Sequence, residues 1–199
     1  MRPQWVLATN NAGKKLEINA FVGRQVDLID LQETVPSVAE TGLTFVENAL
    51  IKARHYAQYT DLPVLADDSG LIVPELQGAP GLYSARYAGE EASDQEHNQK
   101  LLQALAGSED RRAYYYCVVV LLQHSLDPCP RIFTGEWHGK MLTEPMGSSG
   151  FGYDPIFFDP LLGSSAGNLS IAQKNQRSHR AAALEKCLAS LVEYSSVID

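Results

Sequence analysis

Several features that mark special classes of protein are scarce in this sequence. It has three cysteines, Cys117, Cys129 and Cys187, whose spacing fits neither a disulfide framework nor a zinc site. No apolar run approaches the roughly 20 residues that a membrane-spanning helix needs. The first residues, MRPQWVLATNN, lack the apolar core of a signal peptide. Together these absences favour a soluble, cytoplasmic protein.

Positive charge is also scarce. The 199 residues include 16 Lys and Arg against 24 Asp and Glu, which gives a formal net charge of -8. A nucleic-acid surface usually requires a basic domain, so no nucleic-acid partner is expected. A local cluster of cations can still bind a small anionic ligand. The hydrophobic content of 45% is that of a globular protein with one large domain or two small lobes.

The order of secondary-structure patterns points to an α/β protein. Early strand and helix patterns alternate, which favours a βαβ unit. We predict strands at 4–9, 26–31, 63–66, 113–123 and 131–139, and helices at 14–22, 45–60, 94–106 and 176–194. On helix 14–22 the apolar positions are Leu16, Ile18 and Phe21. The sequence leaves open whether the elements form two lobes with a cleft or a single mixed sheet.

A polar loop follows the first strand. In TNNAGKK (residues 9–15), small polar residues leave the strand, Gly13 permits a tight turn, and two lysines open a helix. A helix N-terminus beside lysines is suited to anions. The loop is therefore either a phosphate site or a surface turn with solvated lysines. It is not a Walker A loop, because Lys15 rather than Ser or Thr follows Lys14.

Two adjacent carboxylates, Asp67 and Asp68, lie between apolar runs in VLADDSGLIV (64–73). Such neighbours repel each other and are costly to desolvate. We predict a turn at DDSG, and three interpretations remain open. The aspartates could cap free N–H groups, or form a divalent-cation and general-base site. They could also belong to the Asp-Ser-Gly triplet of a dimeric aspartic protease.

Two later stretches are also candidate ligand sites, one rich in glycine and aromatic residues and the other rich in cationic residues. Phe151 and Tyr153 make GFGYDP (150–155) a loop whose rings could stack on a nucleotide base or pack onto the core. KNQRSHR (174–180) places several cationic groups at a helix start, as either a ligand site or a solvated face.

These four stretches, with two others, resemble the Ham1-type inosine/xanthosine triphosphate pyrophosphatases, the non-canonical purine NTPases, and especially their bacterial, RdgB-like members. The resemblance covers nearly the whole chain, through LATNNAGK (7–14), ETGLTFVENALIKA (40–53), ADDSGL (66–71), GAPGLYSARYAG (78–89), GFGYDPIF (150–157) and SHR (178–180). It implies one ITPase-like domain over residues 1–199. The implied fold is an elongated, mixed-sheet α/β structure of two lobes with a central substrate cleft, and the implied assembly is a homodimer.

The resemblance also implies an activity and its residues. We expect a Mg²⁺-dependent hydrolase that cleaves ITP, dITP and XTP to the monophosphate and pyrophosphate, and so keeps deaminated purines out of DNA and RNA. Asp68 matches the general base. The matched substrate-binding positions are Thr9, Asn10, Asn11, Ala12, Gly13, Lys14, Lys52, Ser69, Arg86, Phe151, Gly152, Tyr153, Asp154, Lys174, His179 and Arg180.

The implied metal ligands and base contacts need separate mention. The family often has an acidic residue where this chain has Ala39, so the metal falls to Glu40, Asp67 and Asp68. Asp67 would hold the metal or fix Asp68. Donors from Arg180 or His179 would bind the 6-keto oxygen of hypoxanthine or xanthine. The alternatives are a purine-nucleotide-binding module without hydrolysis, and the dimeric aspartic protease.

Overall fold

A computed structural model describes residues 2–31 and 33–195, with side chains as far as residue 191. The strands are β1 (Gln4–Ala8), β2 (Asp27–Ile29), β3 (Val64–Ile72), β4 (Arg112–Leu122), β5 (Arg131–Met141), β6 (Phe157–Asp159) and β7 (Ser164–Ser165). The α-helices are α1 (Ala12–Val22), α2 (Phe45–Tyr56), α3 (Asp94–Ala104), α4 (Ile171–Lys174) and α5 (His179–Ser195). None of the described helices is long and apolar enough to cross a membrane.

The strands of the described residues form one mixed sheet. Their order is β2-β1-β3-β4-β5-β6-β7. Strand β1 runs parallel to β2 and β3, whereas β6 runs antiparallel to β5 and β7. The predicted α/β class with a mixed sheet is therefore confirmed. The elongated shape, the two lobes and the substrate cleft stay predictions.

The chain divides into two compact units, each with its own apolar core. Within the described residues, unit 1 draws on the segments 2–31, 33–68, 117–135 and 179–195, and unit 2 on 69–116 and 136–178. The core of unit 1 includes Trp5, Leu7, Ile18, Val119 and Leu184. The core of unit 2 includes Leu71, Leu101, Tyr115, Trp137 and Phe157. Burial of such side chains is the main term that stabilises each unit.

Strand β3 differs from the prediction. The residues DDSG, predicted as a turn, lie inside this continuous nine-residue strand, so that prediction is wrong. Successive side chains of a strand point to opposite faces. Asp67 and Asp68 therefore leave the strand on different sides and meet different partners, although both are buried. Ser and Gly favour turns. Here the chain stays extended, because cations from distant segments pair with both buried aspartates.

Helix α1 buries a charged residue and exposes an apolar one. Ile18 is fully buried, whereas Leu16 is 60% exposed and Glu17 is only 3% exposed. Of the apolar positions named from the sequence, Leu16 therefore lies on the exposed side of the helix. A buried carboxylate on this helix requires a charged partner, and that partner comes from α5, as described below.

Capping side chains fix the starts of two helices. Thr44 accepts from the N–H of Glu47 at the start of α2, and the Glu47 carboxylate accepts from the N–H of Leu43 at 2.7 Å. Ser93 and Glu96 form a full capping box at the start of α3. Each cap satisfies N–H groups that have no partner inside the helix.

The Asp159 carboxylate is a buried polar centre of unit 2. It accepts from Trp137 Nε1 at 2.8 Å, from the N–H of Leu161 at 2.8 Å and from the Arg177 guanidinium at 3.2 Å. Burial alone would raise the pKa of Asp159. The three donors outweigh burial, so the pKa of Asp159 is lowered and the carboxylate stays ionised.

This arrangement predicts a pH-dependent contribution to stability. Because the folded-state pKa is depressed, the contribution is present above the unfolded value of about 3.9 and is lost as the pH falls through the folded pKa. We expect Asp159→Asn to lower the free energy of unfolding at pH 7 by about 1–3 kcal/mol. The difference from the wild type should shrink as the pH falls below about 4.

Denaturant unfolding of both proteins across that pH range measures the difference. Asp61→Asn, at an exposed carboxylate, is the control and should leave stability nearly unchanged at every pH. A destabilisation by Asp159→Asn that stays constant with pH would contradict the assignment.

Candidate active site

The loop between β1 and α1 presents donors at a helix start. The Asn11 side chain caps α1 by accepting from the N–H of Lys14 at 2.9 Å. The N–H of Asn11 donates to the Thr9 hydroxyl at 3.3 Å. Ala12 and Gly13 open the helix, where N–H groups have no acceptor within the helix. Such an end attracts anions.

The Asp67 carboxylate lies at the centre of an ion-pair network in unit 1. Its Oδ2 atom is 3.0 Å from Lys14 Nζ and 3.2 Å from Arg180 Nε. The Arg180 guanidinium also pairs with the Glu17 carboxylate, and Asp67, Arg180 and Glu17 are each no more than 3% exposed. The network therefore connects α1, β3 and α5.

The network keeps Asp67 ionised. Burial by itself would raise the pKa of Asp67, but the charges of Lys14 and Arg180 outweigh it and lower the pKa. The thiol of Cys117 lies beside the same carboxylate, with Sγ 4.0 Å from Oδ2, and burial raises the pKa of that thiol to about 12. Cys117 is therefore a protonated, inert neighbour.

Helix α5 approaches β5 closely enough to require a glycine. A Cβ atom at Gly135 would lie 2.0 Å from the His179 carbonyl oxygen and 2.8 Å from the Ala183 nitrogen. Only the absence of a side chain at this position lets the first turn of α5 lie against the strand. This contact positions the helix that carries Arg180.

Asp68 meets different partners. Lys52, on α2, places its Nζ atom 3.0 Å from Asp68 Oδ1 and 3.0 Å from Glu40 Oε2. Burial raises the pKa of Asp68, and the nearby Glu40 charge adds to this, while Lys52 and Lys14 oppose it. The net result is a raised pKa, which suits a general base.

Lys52 stays charged between these carboxylates. Burial by itself would lower the pKa of Lys52, but Asp68, Asp67 and Glu40 outweigh it and raise the pKa. An ammonium held in this way supplies a fixed positive charge beside the carboxylate of Asp68.

The donor set fits a divalent cation that also binds substrate. In the described residues no cluster of three or more His, Cys, Asp or Glu could hold a metal by itself. Mg²⁺ commonly uses one or two protein carboxylates together with phosphate oxygens and water. Glu40 and Asp68, on either side of Lys52, could supply two. Asp67 already pairs with two cations.

The sum of the charges in this network also favours a bound cation. Three cations, on Lys14, Lys52 and Arg180, face four carboxylates, on Glu17, Glu40, Asp67 and Asp68. One negative charge is left in excess. A polyanionic ligand approaching these groups would therefore need an additional cation.

In unit 2, Asp154 organises the glycine-rich loop. Its Oδ2 atom accepts from the N–H of Phe151 at 2.9 Å and from Lys174 Nζ at 2.7 Å. The Lys174 ammonium lies 5.0 Å from the centre of the Phe151 ring. Gly150 has φ +78°, and a Cβ there would lie 2.0 Å from Asp154 Oδ2, so glycine is required. The loop, Asp154 and Lys174 thus form one polar cluster.

Helix α3 holds the same loop through the backbone of Gly152. The Gly152 N–H donates to Asp94 Oδ2 at 2.6 Å, and its carbonyl accepts from Asn98 Nδ2 at 3.1 Å. The Tyr153 ring is only 3% exposed, and its hydroxyl donates to the carbonyl of Ser84 at 2.8 Å. Tyr153 therefore packs its ring into unit 2.

The other predicted residues are spread over both units. Ser69 begins the part of β3 that belongs to unit 2. Arg86 ends the 3₁₀-helix Gly81–Arg86, with its Nε atom 3.7 Å from Glu90. His179 is buried at the start of α5, in unit 1.

The structure therefore sorts the predicted residues into two groups. Unit 1 contains Thr9, Asn10, Asn11, Ala12, Gly13, Lys14, Glu40, Lys52, Asp67, Asp68, His179 and Arg180, and unit 2 contains Ser69, Arg86, Phe151, Gly152, Tyr153, Asp154 and Lys174. Sequence reasoning missed Glu17. An acidic residue beside Ile18 on a surface-like helix gives no local sign of a buried partner.

Known proteins resemble this chain over nearly its whole length. The Ham1 family model matches residues 5–190. The dITP/XTP pyrophosphatase of Nitrosomonas europaea is 51% identical over 194 residues, which cover 96% of each chain. A HAM1 protein from Coxiella burnetii matches with a TM-score of 0.88 and 46% identity, over 96% of this chain and 99% of that one.

A second solved structure agrees. The Staphylococcus aureus Ham1 protein matches with a TM-score of 0.85 and 40% identity, again over 96% of this chain and 99% of that one. The matches extend over both units and over every residue group described above. They confirm the resemblance inferred from the sequence, and the chain belongs to the Ham1 family.

Proposed function

We propose that this protein is a nucleoside-triphosphate pyrophosphohydrolase that cleaves ITP, dITP and XTP to the monophosphate and pyrophosphate. The observation that carries the proposal is the buried Asp68 carboxylate with a raised pKa, held by Lys52 beside Glu40. Relatives 51–54% identical to this chain are named dITP/XTP pyrophosphatases, which supports the substrate class. Its role would be to remove deaminated purine nucleotides.

The phosphates would bind to unit 1. Lys14, Lys52 and the first N–H groups of α1 supply positive charge and donors for a polyanion. Thr9, Asn10 and Asn11 add polar groups in the loop that leads into the helix. Asp67 supports this arrangement because its carboxylate pairs with the Lys14 ammonium at 3.0 Å.

We assign Mg²⁺ to Glu40 and Asp68, with substrate oxygens and water as further ligands. When bound, such a cation neutralises charge on the phosphates and on the leaving pyrophosphate. Asp67 was among the ligands that the resemblance implied. In this proposal it takes the supporting role instead, because Lys14 and Arg180 already engage its carboxylate.

Asp68 would act as the general base. It accepts a proton from a water molecule whose oxygen forms a bond to the α-phosphorus, while the bond from that phosphorus to the bridging oxygen breaks. The electron pair of that bond leaves with pyrophosphate. A positioned base accounts for roughly 10²–10⁴ in rate. The Lys52 ammonium, 3.0 Å from Asp68 Oδ1, holds the carboxylate in place for that step.

The base would be recognised by the loop of unit 2. The Phe151 ring offers a flat face for a purine, and the Lys174 ammonium beside it is a hydrogen-bond donor. Hypoxanthine and xanthine have an acceptor oxygen at position 6, where adenine has a donor. A site built on that difference can discriminate by roughly 10⁴–10⁵.

His179, Ser69 and Arg86 remain proposed substrate contacts. For Arg180 we propose a supporting role, because its guanidinium bridges Asp67 and Glu17. A cytoplasmic location, which the sequence composition favours, and a homodimer, which the family resemblance implies, complete the proposal. No observation favours the aspartic protease: such an enzyme pairs two carboxylates that share a proton, whereas Asp68 pairs with the Lys52 ammonium.

The direct test measures pyrophosphate release from ITP, dITP, XTP, GTP and ATP, with and without Mg²⁺. We expect release from the first three at much higher kcat/KM than from ATP, whose adenine has a donor at position 6, and only in the presence of the divalent cation. A lower kcat/KM for GTP than for these three would require discrimination at position 2 of the purine, because guanine shares the 6-keto oxygen. No release from any of the five would refute the function and favour a binding module. Preferential cleavage of ATP or GTP would refute the proposed specificity.

The Asp68→Asn variant ties the activity to this site. We expect its kcat to fall by roughly 10²–10⁴, because asparagine cannot accept the proton. Asp61→Asn, at an exposed aspartate outside the network, is the control and should keep wild-type turnover. Normal turnover by Asp68→Asn would remove Asp68 from the role of base.

The pH profile gives a second prediction. Asp68 must be deprotonated to act, so kcat/KM falls as the pH falls through the pKa of Asp68. Lys52 opposes the upward shift of that pKa. We therefore expect Lys52→Gln to move the acid limb of the kcat/KM profile to higher pH, whatever its effect on the maximum rate.

The matched control is Lys15→Gln. Lys15 is a neighbouring lysine whose Nζ atom pairs with Asp30 Oδ2 at 2.5 Å rather than with Asp68. Its removal should leave the acid limb in place. A limb that stays fixed in Lys52→Gln, or moves to lower pH, would contradict the proposed electrostatic coupling.

A further inference from the structure

Tyr56, the last residue of α2, contacts the phosphate loop directly. Its side chain is only 4% exposed, and its hydroxyl donates to Asn10 Oδ1 at 2.9 Å. Asn10 itself is exposed, in the loop between β1 and α1. The sequence motifs pointed to Asn10 but gave no sign of Tyr56.

Tyr56 and Lys52 lie on the same face of α2. Residues four apart in a helix are neighbours on its surface. Lys52 reaches Asp68 on β3, and one turn later Tyr56 reaches Asn10 in the loop after β1. One helix face therefore contacts both the proposed base and the proposed phosphate loop.

The hydrogen bond fixes which way the Asn10 amide points. A primary amide has one acceptor oxygen and one NH₂ group with two donors, on opposite sides. With Oδ1 accepting from Tyr56, the two N–H donors of Nδ2 point away from α2. If the amide turned over, its oxygen would instead face outward and repel an anion.

The Tyr56 hydroxyl keeps the proton that it donates to Asn10. Burial raises the pKa of Tyr56, and the charge of Asp30 raises it further. The phenol therefore stays protonated throughout the neutral range. Its proton is available to the Asn10 oxygen at any pH at which the protein would work.

We propose that Tyr56 is a positioning residue, which holds the Asn10 amide with its N–H donors directed at the phosphates of the substrate. The inference rests on the proposed function for the identity of the ligand, a polyphosphate. It goes beyond that function because it assigns an orientation to Asn10 and a role to a buried residue outside the motifs.

The test separates the Tyr56 hydroxyl from its ring. Tyr56→Phe keeps the packing and removes the donor. We expect the KM for ITP to rise roughly 3- to 10-fold, the effect of losing about one hydrogen bond, with kcat little changed. Such a split indicates lost binding that is equal in the ground and transition states. A purely structural role would lower the amount of active protein and leave KM unchanged.

A double-mutant cycle tests whether Tyr56 affects substrate binding through Asn10. Asn10→Ala should raise KM at least as much as Tyr56→Phe, and the double variant should bind no worse than Asn10→Ala alone. Tyr59→Phe is the matched control, because Tyr59 contacts the ring of His55 and lies outside the Asn10 contact. Its KM should equal that of the wild type. Additive effects in the cycle would overturn the inference.

Binding of inorganic tripolyphosphate, measured by calorimetry, tests the inference without catalysis. We expect the same fold increase in Kd for Tyr56→Phe and the same lack of additivity with Asn10→Ala. If the wild type releases no pyrophosphate, the proposed function fails while this cycle still decides the role of Tyr56. A wild type that does not bind tripolyphosphate, or a Kd unchanged by Tyr56→Phe, would overturn the inference.

A last variant covers the case in which Tyr56→Phe does not fold. Asn10→Asp changes only the exposed loop residue, keeps an oxygen for Tyr56 and replaces the two N–H donors with a negative charge. We expect its tripolyphosphate Kd to rise by more than that of Asn10→Ala. Binding as tight as that of the wild type would show that Asn10 directs no donors at the phosphates.

Discussion

The burial of the Asp67 carboxylate is the constraint on which the rest of unit 1 depends. An isolated buried charge costs several kcal/mol, and the loss of one partner from a buried ion pair commonly costs about 3–5 kcal/mol. Lys14 and Arg180 offset that cost, so α1 and α5 must lie where their cations reach β3. Arg180 is itself a buried charge, and the Glu17 carboxylate pairs with its guanidinium. The position of the loop between β1 and α1 follows from these pairings.

The two adjacent aspartates divide their tasks because they lie in a strand. Their side chains point to opposite faces, so Asp67 meets Lys14 and Arg180 while Asp68 meets Lys52 and Glu40. The pKa of Asp67 is lowered and that of Asp68 is raised. Titratable groups whose environments push their pKa values apart commonly differ in catalytic role. Here one carboxylate anchors cations and its neighbour is available as a base.

Local patterns were enough to predict most elements, but not the partners of buried charges. Strand and helix periodicity predicted the α/β class, and the sequence motifs identified Lys52 and Asp68 as candidate site residues. The turn predicted at DDSG and the omission of Glu17 were errors of one kind. Glu17 and Arg180 are 163 positions apart in the sequence, and no local pattern reveals such a pairing. Tyr56 was missed for the same reason, since its hydrogen bond to Asn10 joins residues 46 positions apart in the sequence.

The central claim is that Asp68 directs a water molecule at the α-phosphorus of a purine nucleoside triphosphate. Hydrolysis of ITP in H₂¹⁸O, followed by mass spectrometry of both products, tests it most directly. The account predicts that the solvent oxygen appears in the nucleoside monophosphate and not in pyrophosphate. Label found in pyrophosphate would place the attack on the β-phosphorus and contradict the account.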